Sequence, residues 1–319
     1  MKCSNRKTLA TAFTLAAFAA FGAENAEPEN ELAADEHEPP WSFEAGFDND
    51  FATAYVWRNT LANDRPVWQP CVWGDVSFAK LDPLYFGFYV WQNWDLTNRR
   101  QAEIPRAMNE TDYNLHLGYT AWKSEDEEWS LSFEAGHEWY TYRARKEFRD
   151  DYSSAREIYV KAEFENPYVV AYGQYSHAYH PFDANHFELG LKKEVTLGDL
   201  AGVEESWLND LTLGADWNLN FGSGKYLTEG LYGVGGGDYL YDEDADESYF
   251  EDDYLKDGVG GTTIRFDLSY EVCKHFTVGA FVAYTAVLNG DVRDGLSAAD
   301  YGRASRNLVW GGFKAGLKF

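Results

Sequence analysis

The sequence predicts an all-β fold: a transmembrane, up-and-down antiparallel β-barrel of about twelve strands. Three observations predict it. The chain ends in an amphipathic strand with a terminal aromatic, unlike faces alternate in segment after segment, and the connections are short on one side and mostly long on the other.

The amino-terminus comes first. Lys2, Arg6 and Lys7 precede an apolar run over residues 8–21, too short to cross a bilayer as a helix. Ala20 and Gly22 satisfy a small-x-small rule, so residues 1–22 read as a secretory signal cleaved after Gly22. Cys3 lies ahead of the apolar run and would leave with the signal. Residues 23–40 are acidic, rich in Pro and Ala, and read as a disordered lead-in. Residues 41–319 are expected to form the barrel.

Residues 41–319 keep 24 basic and 46 acidic residues, a net charge of −22. Nucleic acid needs a basic footprint, so it is excluded as a partner. No apolar run outside the signal reaches the length of a membrane helix. Mean hydropathy is −0.50 while 17% of residues are aromatic. Half of each barrel strand faces a polar interior and aromatic girdles mark both interfaces, which accounts for both values.

Twelve segments alternate with a period of two: 41–57, 67–79, 84–95, 111–122, 129–142, 155–165, 168–180, 186–197, 209–221, 259–271, 275–287 and 307–319. In the fifth, Leu131, Phe133 and Ala135 alternate with Glu134 and Glu138. In the sixth, Ile158, Val160 and Phe164 alternate with Glu157, Tyr159 and Lys161. In the ninth, Leu213 and Trp217 alternate with Asp216, and in the tenth Ile264 and Phe266 alternate with Arg265 and Asp267. The apolar set is expected to face lipid and the polar set the lumen.

Connections after even segments are mostly short. Those after odd segments are mostly longer, at 58–66, 96–110, 143–154, 222–258 and 288–306, with 181–185 as the exception. Outer-membrane barrels have short periplasmic turns and long external loops, so an even strand count places both termini in the periplasm. The last thirteen residues, NLVWGGFKAGLKF, place Phe319, Leu317, Ala315, Phe313 and Val309 on one face. Such a tail closes a barrel and is the kind that barrel-assembly machinery reads. A soluble β-sandwich would also alternate, but would not need Trp57, Trp73, Trp91, Trp94, Trp122, Trp129, Trp139 and Trp217 at strand ends. Cys71 and Cys273 fall toward opposite ends of the barrel and are expected not to pair.

Residues 41–95 carry a further pattern: Tyr55, Val56, Trp57 and Arg58, then Pro66 and Gln69, then Gly87, Tyr89 and Trp91. This resembles the first hairpin and third strand of the TorF-type porins of Gram-negative outer membranes. Asn59 stands where that family has Gly after Arg, and Asn also tolerates positive φ. The resemblance implies an outer-membrane location and a channel, and brings no catalytic residues.

The remaining motifs are weak. Asp242, Asp244, Asp246 and Asp253 echo the spacing of a Ca²⁺ loop, but Glu247 stands where that loop needs Gly. They read as a solvated acidic loop, with no metal and no cofactor expected. His177 and His180 point to opposite faces of a strand. No G-x-S-x-G, H-E-x-x-H or phosphate loop occurs.

The sequence therefore reads as a porin-like, non-enzymatic channel for small polar solutes or ions, weakly cation-selective, with lipid and lipopolysaccharide around it. Glu134, Glu138, Lys161, Lys192, Asp216, Arg265 and Asp267 are its expected pore lining. The loop at 222–258, with Asp242, Asp244, Asp246 and Asp253, is its expected constriction. Two alternatives stand beside it. One is a lipid-modifying enzyme, for which His137 has lipid-side parity but no Ser partner in a recognisable motif. The other is a plugged barrel serving as an adhesin or structural anchor.

Overall fold

The computed structural model describes residues 41–63, 65–78, 84–96, 108–142, 154–180, 183–203, 207–227, 256–293 and 307–319. The signal and lead-in expected over 1–40, and the acidic residues 242–253, lie outside them.

The wall consists of twelve strands: β1 (Trp41–Ala52), β4 (Val67–Phe78), β5 (Leu84–Asp95), β6 (Met108–Lys123), β7 (Ser130–Tyr142), β8 (Ser154–Glu165), β9 (Val170–His180), β10 (Ala184–Thr196), β11 (Leu211–Gly222), β12 (Gly258–Cys273), β13 (Phe276–Val287) and β14 (Leu308–Lys318). They form a closed antiparallel barrel in sequence order, and β1 pairs with β14 to seal it. Strands of 11 to 16 residues meet or exceed the ~9–11 that a tilted strand needs to cross a bilayer. No helix among the described residues is long and apolar enough to cross one. The crossing falls to the strands, whose main-chain groups closure satisfies.

Alternation sets the two faces. Val160, Phe266, Val309 and Phe313 point outward and are 55%, 56%, 68% and 71% exposed. An uncovered apolar surface of this extent suits lipid, and a soluble sandwich would have buried it. Trp41, Trp122 and Trp207 stand exposed near the end that carries the termini, as an interfacial girdle does. At the seam the Phe319 amide donates to Ala45 O at 2.9 Å and the Ala45 amide to Phe319 O at 3.2 Å. Cys71, half-buried in β4, and Cys273, exposed where β12 ends, are both free thiols.

Two expectations are corrected here. The first segment does not run as one strand over 41–57. The chain leaves the wall after Ala52 and forms a separate two-stranded hairpin, β2 (Tyr55–Trp57) and β3 (Thr60–Asn63). The connection expected as an external loop at 58–66 thus contains the hairpin's turn and second strand. The hairpin is buried inside the barrel: Ala54, Tyr55, Asn59, Thr60 and Leu61 are all under 9% exposed. Nor do all the tryptophans join the girdle. The Trp73 indole lies over Gly46 and donates to Asp48 at 2.8 Å, and Trp91 packs against Tyr55 at 5.4 Å. Period-two alternation specifies which face a residue takes, and these fall on the inner one.

Candidate functional site: the lumen and the hairpin within it

The inner wall is tiled by tyrosines lying over glycines. A Cβ on Gly136 would sit 2.4 Å from the Tyr159 ring, and one on Gly190 would sit 2.1 Å from Tyr172. Glycine therefore lets each ring lie against the neighbouring strand. The phenol hydroxyls then meet carboxylates. Tyr85 and Tyr159 donate to Glu134 at 3.1 and 2.7 Å, and Tyr172 donates to Glu188 at 2.7 Å. Tyr89 and Tyr140 donate to Glu138. Rings fill space while hydroxyls satisfy the acids, so the wall is both packed and polar.

The hairpin projects into this interior. Its turn residues Arg58 and Asn59 have φ of 46° and 67°, the left-handed geometry that a two-residue hairpin loop of this kind requires. From there Arg58 reaches the β7–β8 wall. Its Nη1 donates to Glu157 Oε1 at 2.8 Å and to the Tyr226 hydroxyl at 3.0 Å, and its Nη2 contacts Glu157 Oε2 and, at 3.3 Å, the Tyr140 hydroxyl. The guanidinium also lies 4.4 Å from the centre of the Trp57 ring. This is a bidentate, aromatic-flanked ion pair, a geometry Lys does not reproduce. On the other side Asn59 Oδ1 accepts from Thr263 Oγ1 at 2.5 Å, and that hydroxyl pairs with Thr285 at 2.8 Å. The tip is thus tied to β8 and to β12, on different sides of the barrel.

The residues expected to line the pore lie in two groups. Glu134, Glu138 and Lys161 belong to β7 and β8, where Lys161 pairs with Glu163 at 2.8 Å. Lys192, Asp216, Arg265 and Asp267 belong to β10–β12. Asp216 lies in register between Lys192 and Arg265, and Arg265 is held by Asp267 at 2.9 and 3.0 Å. Lys314 donates to the same carboxylate at 2.8 Å. Between the hairpin and this second group lies a cavity of about 250 Å³, lined by Arg58, Asn59, Glu188, Asp216, Thr263 and Arg265 among others. Sequence reasoning missed the hairpin, Glu188 and Tyr226. The signal present was the residue pair Arg58-Asn59, whose Asn tolerates positive φ.

The described part of the 222–258 connection also turns inward. Tyr226 and Leu227 are 2% and 0% exposed, and Tyr226 reaches Arg58. Asp242, Asp244, Asp246 and Asp253 lie outside the described residues. Among the described residues, no three His, Cys, Asp or Glu side chains are grouped to hold a metal ion. On the outer face, the ring nitrogen Nε2 of His137 bonds the Tyr179 hydroxyl at 2.5 Å, and His177 Nδ1 bonds Asn185 Oδ1 at 3.0 Å.

No family model matches the chain, and no curated protein matches it. Among solved structures, a KdgM porin is 10% identical with a TM-score of 0.40, the match covering 86% of this chain and 99% of that one. An outer membrane channel from Pseudomonas putida F1 is 8% identical with a TM-score of 0.44, covering 91% and 100%. Outer membrane phospholipase A from Escherichia coli is 15% identical with a TM-score of 0.39, covering 86% and 92%.

Proposed function

We propose that the protein is an outer-membrane channel for passive diffusion of small polar solutes, with its termini in the periplasm and a preference for cations. The observation that carries this reading is the polar cavity between the hairpin tip and the β10–β12 wall. A closed barrel with a lipid-compatible exterior and a charged interior has the form of a pore, and an inward-folded segment beside an open space has the form of a constriction.

The cation preference rests on the lumen itself. Asp48, Asp50, Glu110, Asp112, Glu134, Glu138, Glu157, Glu188, Asp216 and Asp267 lie on the inner face of the wall. Among the described residues, the basic groups set against them include Arg58, Lys161, Lys192, Arg265 and Lys314. An excess of inward carboxylates favours cation entry. The likeness of residues 41–95 to TorF-type porins enters the same proposal, as do the surrounding lipopolysaccharide and assembly by the barrel-assembly machinery. The acidic loop residues 242–253 would add to the bias at the entrance.

The pinned hairpin favours a second reading, a plugged barrel that serves as an anchor or adhesin. Reconstitution in a planar bilayer separates the two. The channel reading expects ohmic current and a reversal potential displaced toward the cation in a KCl gradient. A folded barrel that passes no current would leave the plugged reading. Hydrolysis of phospholipid by the purified protein would overturn both.

A further inference from the structure

We propose that the cavity beside the hairpin is a binding site for a small solute carrying an ammonium group next to an oxygen acceptor, as amino alcohols and amino acids do. The proposal rests on the channel reading for its location on the solute path, and it names the solute that path prefers.

The argument starts with charge. Four charged side chains line the cavity: Arg58, Arg265, Glu188 and Asp216. The arginines are engaged elsewhere. Arg58 is held by Glu157, and Arg265 by Asp267 with Asp50 at 3.8 Å. Glu188 and Asp216 lie outside those pairs. Among the described residues Glu188 accepts from the neutral Tyr172 hydroxyl at Oε1, and Asp216, flanked in register by Lys192 and Arg265, keeps its Oδ1 buried with no hydrogen-bond partner. A carboxylate oxygen buried without a donor gains most from a compact cation that donates several hydrogen bonds, which describes an ammonium group.

A second, independent observation fixes what stands beside the cation. Asn59 is 3% exposed, lines the same cavity, and spends its Oδ1 on Thr263, while its Nδ2 is buried without a partner. An amide NH₂ can only donate, so it asks for an oxygen on the solute. The left-handed turn holds Asn59 in place, so this donor is fixed before the solute arrives. The third determinant is size. At about 250 Å³ the cavity lies just below the ~300–1,000 Å³ of drug-sized sites, which suits a solute of a few heavy atoms. Val56 and Trp310 supply the apolar part of the lining.

The test uses the full-length folded protein in a planar bilayer, with interruption of the KCl current as the readout. Ethanolammonium is the probe, ethylammonium lacks the oxygen, and glucose lacks the charge. Ethanolammonium should interrupt the current at about ten-fold lower concentration than either control, a factor worth about 1.4 kcal/mol. Asp216→Asn should remove that advantage. Asn59→Asp, which keeps the oxygen that accepts from Thr263 and removes the NH₂ donor, should bring ethanolammonium down to the level of ethylammonium. Equal potency of the three probes, or an unchanged response in Asp216→Asn, would overturn the proposal. If the folded barrel carries no current at all, the channel reading fails. Calorimetric titration of the detergent-solubilised protein then decides the site by the same order of probes, and loss of that order overturns it.

Discussion

The wall strands and the hairpin inside them are both antiparallel β-structure, yet different forces hold them. Every wall strand has a neighbour on each side, and pairs such as β7 and β8 stay in register from Ser130↔Glu165 to Thr141↔Ser154. The hairpin strands have only each other, over three paired positions with a register shift among them. Main-chain hydrogen bonds hold the wall. The hairpin depends on side chains: Arg58 on Glu157, Asn59 on Thr263, Tyr55 against Trp91. Wall identity is therefore spread over many residues, whereas the position of the hairpin depends on very few.

The sharpest way to break this comparison is to remove the hairpin. Replacing residues 54–65 by a short Gly-Ser connection should raise single-channel conductance several-fold and leave a folded, heat-modifiable barrel. A barrel that no longer folds would mean that the hairpin belongs to the wall. Shortening 228–254 in the same way should change conductance less than removing the hairpin does, and the reverse order would move the constriction to that loop.

A smaller effect is expected from Arg58→Ala. Removing one partner of a buried ion pair costs about 3–5 kcal/mol. Here that loss should appear as local release. Hydrogen exchange at Val56 and Thr60 should quicken while the amides of β7 keep their protection. Uniform loss across β7 and the hairpin would show that they open as one unit.

Within the wall, Gly136→Val places a branched side chain where Tyr159 lies, with its Cβ only 2.4 Å from the ring. Overpacking of this kind costs about 1–3 kcal/mol, and it should lower the urea midpoint of the whole barrel. An unchanged midpoint would mean that Tyr159 has free room to move.

The smallest effect lies in the turn between β6 and β7. Ser124 Oγ donates to Asp126 Oδ1 at 2.5 Å, and this hydrogen bond, the largest cause, holds the exposed carboxyl below the usual range. A group depressed on folding adds stability above its unfolded pKa and loses it as the pH falls through the folded value. Ser124→Ala should therefore narrow the difference in urea midpoint between pH 7 and pH 3. An identical difference in both proteins would exclude the turn as a contributor.

How much of this was legible in the sequence follows from the same contrast. Wall strands announce themselves because lipid outside and polar lumen inside force Leu131, Phe133 and Ala135 to alternate with Glu134 and Glu138. Partner strands lie next in sequence, so local pattern and turn length are enough to order them. Tyr55 and Trp57 continue that alternation with Phe51, and nothing local says that the wall ends at Ala52. Their stabilising contacts lie far along the chain: Arg58 is 99 residues from Glu157, and Asn59 is 204 from Thr263. The turn itself uses Arg58-Asn59 in place of the Asn-Gly that marks such loops. The acids at Glu134, Asp216 and Asp267 were readable as inward-facing. That Asp216 would share a cavity with Asn59 was not, because the hairpin creates that cavity.

The seam between β1 and β14 bears on the order of events in time. The first and last wall strands of the chain must meet before the wall is closed, so closure waits for the final residues. The hairpin hangs from β1, yet the groups that receive its tip, on β8, after β11 and on β12, lie 99 to 204 residues further along the chain. Such distant contacts form slowly, because a long stretch of chain must be ordered first. The tip is therefore expected to dock late, once β8 and β12 are in place. Until the tip is seated on those groups, the space it fills in the finished protein is open.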